Sequence, residues 1–444
     1  MIEYIYIPVI LILYLRTYKF YKKIDDPVPR DGYMYVITTG KADPRVYDEK
    51  HSYMATFTNI GVFIATCGYL HCLWGWETAL LFAVIPLNVS GVAWITGNYY
   101  MSTVLLTLAT HMILIKCPEM STTALFFVKP ALAMAFFGAA LNSTLSSIAY
   151  LPIGIYFGGW YLIIPFLFFM FGKRMKAGLS QRKDLHEKHG IKSGRITWGT
   201  LLNIPKTLAY YIVLTFYPVR LGFFHSYGKE PSYFSRTTLI VSGLLLSIFI
   251  YFGYINNALA IVWWLLCLGL FSQYTYYGQF ITERYTYLAN VGICLIFSTF
   301  LAPYEITYAI LATLWFCKSL DYVKAWRTNE TLFSYSISNF PEAPENYNNL
   351  GSLYLDKREY HKAIQPLLLA MKFSKGNLTN IHTNLANCFG NCGHHEKALA
   401  HTVEAMKTCP TDKKVALSKQ RDELEQTVRR IHRNRKELRK MGVI

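Results

Sequence analysis

The sequence predicts an all-α protein in two parts, a polytopic membrane domain followed by a short array of soluble helical repeats. Three observations carry this reading. The chain is 53% hydrophobic and only 16% charged over 444 residues, with a mean hydropathy of +0.23, whereas soluble domains carry about 25% charged residues. Its apolar residues gather into about eleven runs before Leu320. After Leu320 the runs stop and a short pattern recurs at a fixed offset. The 34 tyrosines suit aromatic belts at membrane interfaces.

The first run, Tyr4–Leu15, is shorter than the ~20 residues that cross a bilayer. It therefore extends into Arg16–Tyr21 or lies tilted at the interface. It lacks a basic leader and a small-residue cleavage site, which sets it apart from a signal peptide. Residues 16–53 form a polar first outer loop that holds Asp25, Asp26, Arg30 and Asp31. Further apolar runs follow at about 54–73, 76–89, 99–116, 124–142, 146–172, 198–218, 237–253, 256–271, 286–302 and 305–320. Here 146–172 is taken as one segment, and 1–320 as the membrane domain.

Orientation comes from loop 173–197, which carries Lys173, Arg174, Lys176, Arg182, Lys183, Lys188, Lys192 and Arg195. The positive-inside rule makes this loop cytoplasmic. Counting spans outward places the N-terminus inside, and loop 16–53 and everything after Leu320 outside. Arg16, Lys19, Lys22 and Lys23 flank the first run and pull the other way. Either the count differs by one span, or these cations bind an anion outside, which is the reading adopted. The net charge of +17 belongs to this membrane setting. The basic residues are scattered and accompany no nucleic-acid-binding module, so nucleic acid is not the expected partner.

The repeats occupy 321–412. Asn349-Leu350-Gly351-Ser-Leu-Tyr354 returns as Asn384-Leu385-Ala386-Asn-Cys-Phe389, and Ala363 and Ala370 return as Ala398 and Ala405. Leucine, small residue and aromatic at this spacing is the tetratricopeptide pattern, whose period is about 34. Trp326, Glu330, Leu332 and Phe333 form a half repeat that joins the last run to the array. Residues 413–444 read as a charged capping helix, or as a basic surface for lipid head groups or a partner.

No phosphate-binding glycine loop, His-Glu-x-x-His motif, Ser-His-Asp order or Cys-His cluster is present, so the sequence does not support a soluble nucleotide-sugar or ATP site. The nine cysteines show neither zinc spacing nor a disulfide framework. Polar residues instead gather in the outer loops: Asp25, Asp26, Arg30, Arg220, His225, Glu283 and Arg284. Glu283-Arg284 lies between two apolar runs, where a charged residue faces a polar cavity or a partner, or fixes helix packing as an ion pair. Asp25-Asp26 precede Pro27 and Pro29 on extended backbone. Such a pair binds a divalent cation or acts as a general base, or is simply solvated. Asn88, Asn142, Asn329 and Asn377 head glycosylation sequons.

Ala79-Leu-Leu-Phe-Ala-Val-Ile-Pro86 with Val92-Ala-Trp94-Ile-Thr-Gly97, Glu283-Arg284-Tyr-x-Tyr-Leu288, and Trp326-x-x-x-Glu330-x-Leu332-Phe333 occur in that order. Together they resemble the transmembrane, tetratricopeptide-repeat-containing O-mannosyltransferases and their bacterial relatives. Ile85 stands where that family has His, and Asn98 where it has Arg. The resemblance implies a GT-C glycosyltransferase of the bacterial inner membrane or endoplasmic reticulum, with its repeats on the non-cytoplasmic side. It implies a polyprenyl-phosphate-linked sugar donor and Asp25 or Asp26 as catalytic base or ligand of Mg or Mn. Arg284, Arg220, Lys19 and Lys23 then become donor-phosphate contacts, with Lys206 a weaker candidate and Glu283, Arg30 and His225 in support. Tyr347, Asn348, Tyr354 and Asn384 on the repeats are expected to hold a protein acceptor or partner. The alternative is an inactive relative that serves as a membrane-anchored repeat scaffold.

Overall fold

A computed structural model describes residues 2–15, 17, 49–93, 98–116, 123–143, 145–171, 198–223, 225, 236–269, 283–374, 378–409 and 411–440. Among these, every regular element is a helix. The chain divides into two compact units, with Leu332 the last residue of the first and Phe333 opening the C-terminal part of the second. Residues 321–332 thus go with the apolar unit and not with the repeats.

The first unit contains α1 (Tyr6–Tyr14), α2 (Glu49–Trp74), α3 (Trp76–Val84), α4 (Val89–Ala93), α5 (Asn98–Lys116), α6 (Thr123–Ser143), α7 (Leu151–Tyr156), α8 (Ile163–Phe171), α9 (Trp198–Phe216), α10 (Arg236–Gly269), α11 (Tyr287–Leu301) and α12 (Glu305–Ala325). Two stretches among the described residues are long and apolar enough to cross a membrane, Phe57–Trp74 and Leu239–Leu268. Outward-facing Ile240, Ile248, Phe168, Phe171, Ile306, Ile310 and Leu314 are all exposed. An apolar exterior of that extent suits lipid and not water.

Run 76–89 is a broken helix. α3 and the segment Pro86–Ala93 meet at 62°. Pro86 has no N–H to continue the ladder and pushes the residue before it out of the helical region; Ile85 is extended, at φ −61° and ψ 123°. The carbonyl of Phe82, freed by the break, accepts the Asn88 side-chain amide at 2.8 Å.

Run 146–172 is not one segment. A left-handed Gly158 (φ +82°) and a bond from Gly159 N–H to the Gly154 carbonyl at 2.8 Å end α7 and separate it from α8. The two consecutive glycines are what permit the turn.

Runs 237–253 and 256–271 remain two legs, although α10 joins them without a gap. Asn257 leaves the helical region (φ −159°, ψ 94°) and its side chain accepts Ala260 N–H at 3.0 Å, capping the second leg. A Cβ on Gly253 would lie 2.8 Å from Cβ of Ile261, although eight residues of straight helix rise about 12 Å. The chain therefore folds back on itself.

α11 is the centre of the unit, since all its residues except Thr299 and Phe300 are buried. Gly292 lets it approach the backbone of Ala260 and Trp264 more closely than any side chain allows.

The second unit holds two helix pairs in tandem. α13 (Asn329–Asn339) leads in, α14 (Pro344–Asp356) packs on α15 (Tyr360–Phe373), α16 (Thr379–Asn391) on α17 (His395–Thr408), and α18 (Thr411–Lys440) follows. The pairs have equal lengths, 13 and 14 residues each. α14 and α16 begin at 344 and 379, α15 and α17 at 360 and 395, so both members repeat at an offset of 35. Their shared core is built from Ala363, Leu367, Ala370, Leu385, Cys388 and Ala398. α18 docks through buried Leu417, a Gln420–Asn387 bond at 3.0 Å and His432–Glu396 at 2.9 Å.

Candidate functional site

The buried polar groups of the first unit converge on the stretch that opens α11. Glu283 starts a 3-10 turn, Glu283–Tyr285, and the Thr286 hydroxyl closes it by donating to the Glu283 carbonyl at 2.7 Å. The Glu283 side chain is inside the unit, 3% exposed. Oε1 accepts Gly222 N–H at 2.8 Å and lies 3.2 Å from Nε2 of His225. Oε2 accepts the Tyr322 hydroxyl at 2.7 Å. A carboxylate taken out of water is tolerated only when its lone pairs are answered in this way.

His225 is itself buried and extends the network, with Nδ1 3.1 Å from the Tyr210 hydroxyl. When Nε2–H donates to Glu283, Nδ1 is free to accept from Tyr210, so the neutral ring satisfies both contacts. Phe223 and Tyr322 set ring edges against Trp326. The chain from α9, the segment after it and the end of α12 are thereby all tied to one carboxylate.

One turn further, Tyr287 reaches the broken helix. Its hydroxyl donates to the Asn88 carbonyl and accepts Gly91 N–H, and Tyr100 stacks on its ring at 6.0 Å. A side chain at Gly91 would occupy the Tyr287 ring. Asn290 donates to Oδ1 of Asn88 at 2.8 Å, and Ser319 donates to the Val84 carbonyl beside the break at 2.7 Å. The groups left unpaired by the α3–α4 break are thus answered from α11 and α12. This is how non-helical backbone is accommodated away from water.

Of the residues singled out in the sequence, Glu283 and His225 are brought together. Arg220 is exposed in the bend that follows α9, Lys206 is half-buried on that helix, and the backbone of Arg284 lies in the 3-10 turn. Asp25, Asp26, Lys19, Lys23 and Arg30 lie outside the described residues. Among the described residues no group of three side chains is placed to hold a metal ion.

On the repeats, Asn348 and Asn384 do meet, at 3.2 Å. Tyr347 is buried and stacked on Phe373 at 5.7 Å. Tyr354 packs against the same core, with the Lys357 ammonium 5.9 Å over its ring. Tyr347 belongs to the core of the helix pairs and Tyr354 is half-buried at its edge. Asn88 is fully buried, so its sequon is no glycosylation site in the folded chain.

Sequence reasoning missed Tyr322, Tyr287, Asn290, Gly222 and Gly91. For Tyr287 the signal was its place two residues after Glu283-Arg284-Tyr285. For Tyr322 nothing in the sequence distinguishes it from the other tyrosines. No family model matches the chain, and neither a curated protein nor a solved structure is significantly similar to it.

Proposed function

We propose that the chain is an integral membrane glycosyltransferase of the GT-C kind, moving a sugar from a polyprenyl-phosphate donor to a protein or glycan on the non-cytoplasmic side. The observation that carries the reading is Glu283, an ionisable group held inside an apolar helical body at the motif that resembles the family. An ionisable group inside an apolar helical body is by default a candidate for a substrate path. The eleven-span topology and the tetratricopeptide nature of the helix pairs belong to the same proposal, supported by the run pattern and by the repeated 13- and 14-residue helices.

The chemistry assigned to this chain is an inverting displacement. The acceptor hydroxyl attacks the anomeric carbon while its proton passes to Asp26 or Asp25. The bond from that carbon to the phosphate oxygen breaks, and the electron pair leaves with the polyprenyl phosphate. Arg284, Arg220, Lys19 and Lys23 stabilise the charge that develops there. A Mg or Mn ion held by the aspartate pair would polarise the donor phosphate. The repeats bind the acceptor or partner.

A second reading is favoured by one observation. Ile85, where the family has His, is fully buried at the helix break and offers no polar atom. The chain would then be an inactive, membrane-anchored scaffold. Asp26→Asn separates the two, because it keeps size and removes both base and anionic ligand. Transfer from a polyprenyl-phosphate sugar should fall about a hundred- to ten-thousand-fold with the melting temperature in detergent unchanged. Wild-type protein that transfers from no such donor hands the case to the scaffold.

A further inference from the structure

The last helix pair carries a device independent of that site. His382 on α16 and His401 on α17 face each other with their Nδ1 atoms 2.9 Å apart and their rings 5.1 Å apart. His382 is buried, 9% exposed. Phe389 stacks on the His401 ring at 5.4 Å and within 2° of parallel. One further bond links the ends of the two helices, Thr379 to Thr408 at 2.8 Å.

A bond between two Nδ1 atoms needs one ring to present N–H and the other a lone pair. Neutral imidazoles satisfy this with opposite tautomers. A first added proton goes to the free Nε2 of the donor ring and leaves the bond in place. A second must go to the accepting Nδ1, and then two N–H groups and two cations oppose each other at 2.9 Å. The buried His382 cannot turn away without vacating packed space, and His401, half-exposed, is stacked on Phe389.

We propose that the His382–His401 pair makes the joint between α16 and α17 acid-opened, closed while at most one proton is shared and opened by the second.

Burial holds both imidazoles below the usual histidine value, and the neighbouring His382 lowers His401 further. The charged groups that act on the pair are on α17: Glu404 raises both, and Lys407 lowers His382. Glu404 is exposed and already engaged by Lys407 at 2.6 Å, so it does not replace the lost bond. No charged side chain of α14, α15 or α18 acts on the pair among the described residues. The sign follows. Below about pH 6.5 the unfolded histidines hold protons that the closed joint excludes. Stability is complete above that pH and is lost as pH falls toward the lower folded values.

Hydrogen exchange of the full chain in detergent at pH 7.5 and 5.5 tests this, with residues 344–373 as internal reference for the intrinsic pH effect. Exchange in 379–408 should rise on the order of tenfold relative to the reference, the scale of one proton per pH unit. His382→Asn removes one titrating ring and can either donate to or accept from His401. It should hold the ratio of the two segments constant between the two pH values. Equal behaviour of both segments in the wild type overturns the proposal, as does an undiminished acid response in His382→Asn. If that variant is loosened at pH 7.5, His401→Asn makes the same comparison from the other helix.

Discussion

Glu283 is answered by three groups from two segments, and the side-chain answers can be withdrawn singly. Glu283→Ala leaves Gly222 N–H, His225 and the Tyr322 hydroxyl without their acceptor, and unsatisfied buried groups cost about 1–3 kcal/mol each. A loss of about 3 kcal/mol is expected, read as a fall in the detergent unfolding midpoint. Tyr322→Phe removes only the donor to Oε2 and should cost about half as much. If Tyr322→Phe costs nothing while Glu283→Ala is severe, the hydroxyl is not an essential partner. At this scale the sequence disclosed the carboxylate and the histidine, because both are rare residue types in an apolar setting. It did not disclose the tyrosine partners. Tyrosine is abundant here, and which one reaches a carboxylate depends on helix approach, which no local pattern encodes.

Helix boundaries were legible where the apolar pattern itself is interrupted, and hidden where it runs on through a backbone break. Asn257 lies at a joint that the apolar runs had already separated, whereas Pro86 breaks run 76–89 from within. Run 146–172 misled because its hydrophobicity is continuous through Gly158 and Gly159, and only backbone conformation shows the turn. In the second unit, the equal offset of 35 extends from sequence to helix starts. The two pairs also differ in a telling way. Gly351 lies against Leu367, with a would-be Cβ 2.5 Å from Cγ, while their counterparts 35 residues on are Ala386 and Thr402. One pair uses small with large, the other intermediate with intermediate. Gly351→Ala alone should therefore overpack, costing about 1–3 kcal/mol, and Leu367→Thr alone should leave a cavity. The double variant should be more stable than the sum of the two losses by at least about 0.5 kcal/mol, measured by urea unfolding of the full chain. Strict additivity would show that the two residues do not share a packing site.

The two-part architecture is the level at which composition alone is most informative, because apolar content and repeat spacing are properties of long stretches. The count of eleven spans is a finer matter. Among the described residues the apolar helices include a bent pair, a folded-back pair and two short helices around a glycine turn. Hydropathy does not distinguish these from straight crossings. The candidate site lies at an intermediate level: its motif is in one stretch, but its partners come from residues 88 to 322.

That separation has a consequence for how the chain is made. Gly222 and His225 emerge before Glu283 and can meet it at once, but Tyr322 follows 39 residues later. Until then the turn that opens α11 holds a half-answered carboxylate, and α11 itself a Tyr287 that depends on the earlier broken helix. α11 is therefore a poor candidate for release into lipid by itself. The nascent chain should stay beside the insertion machinery, or a chaperone in the bilayer, until α12 arrives. Crosslinking of stalled chains checks this: those ending near residue 304 should remain attached at α11, and those carrying α12 through Ala325 should be released. For Glu283→Leu, attachment at the shorter length should disappear, since a leucine has nothing to wait for.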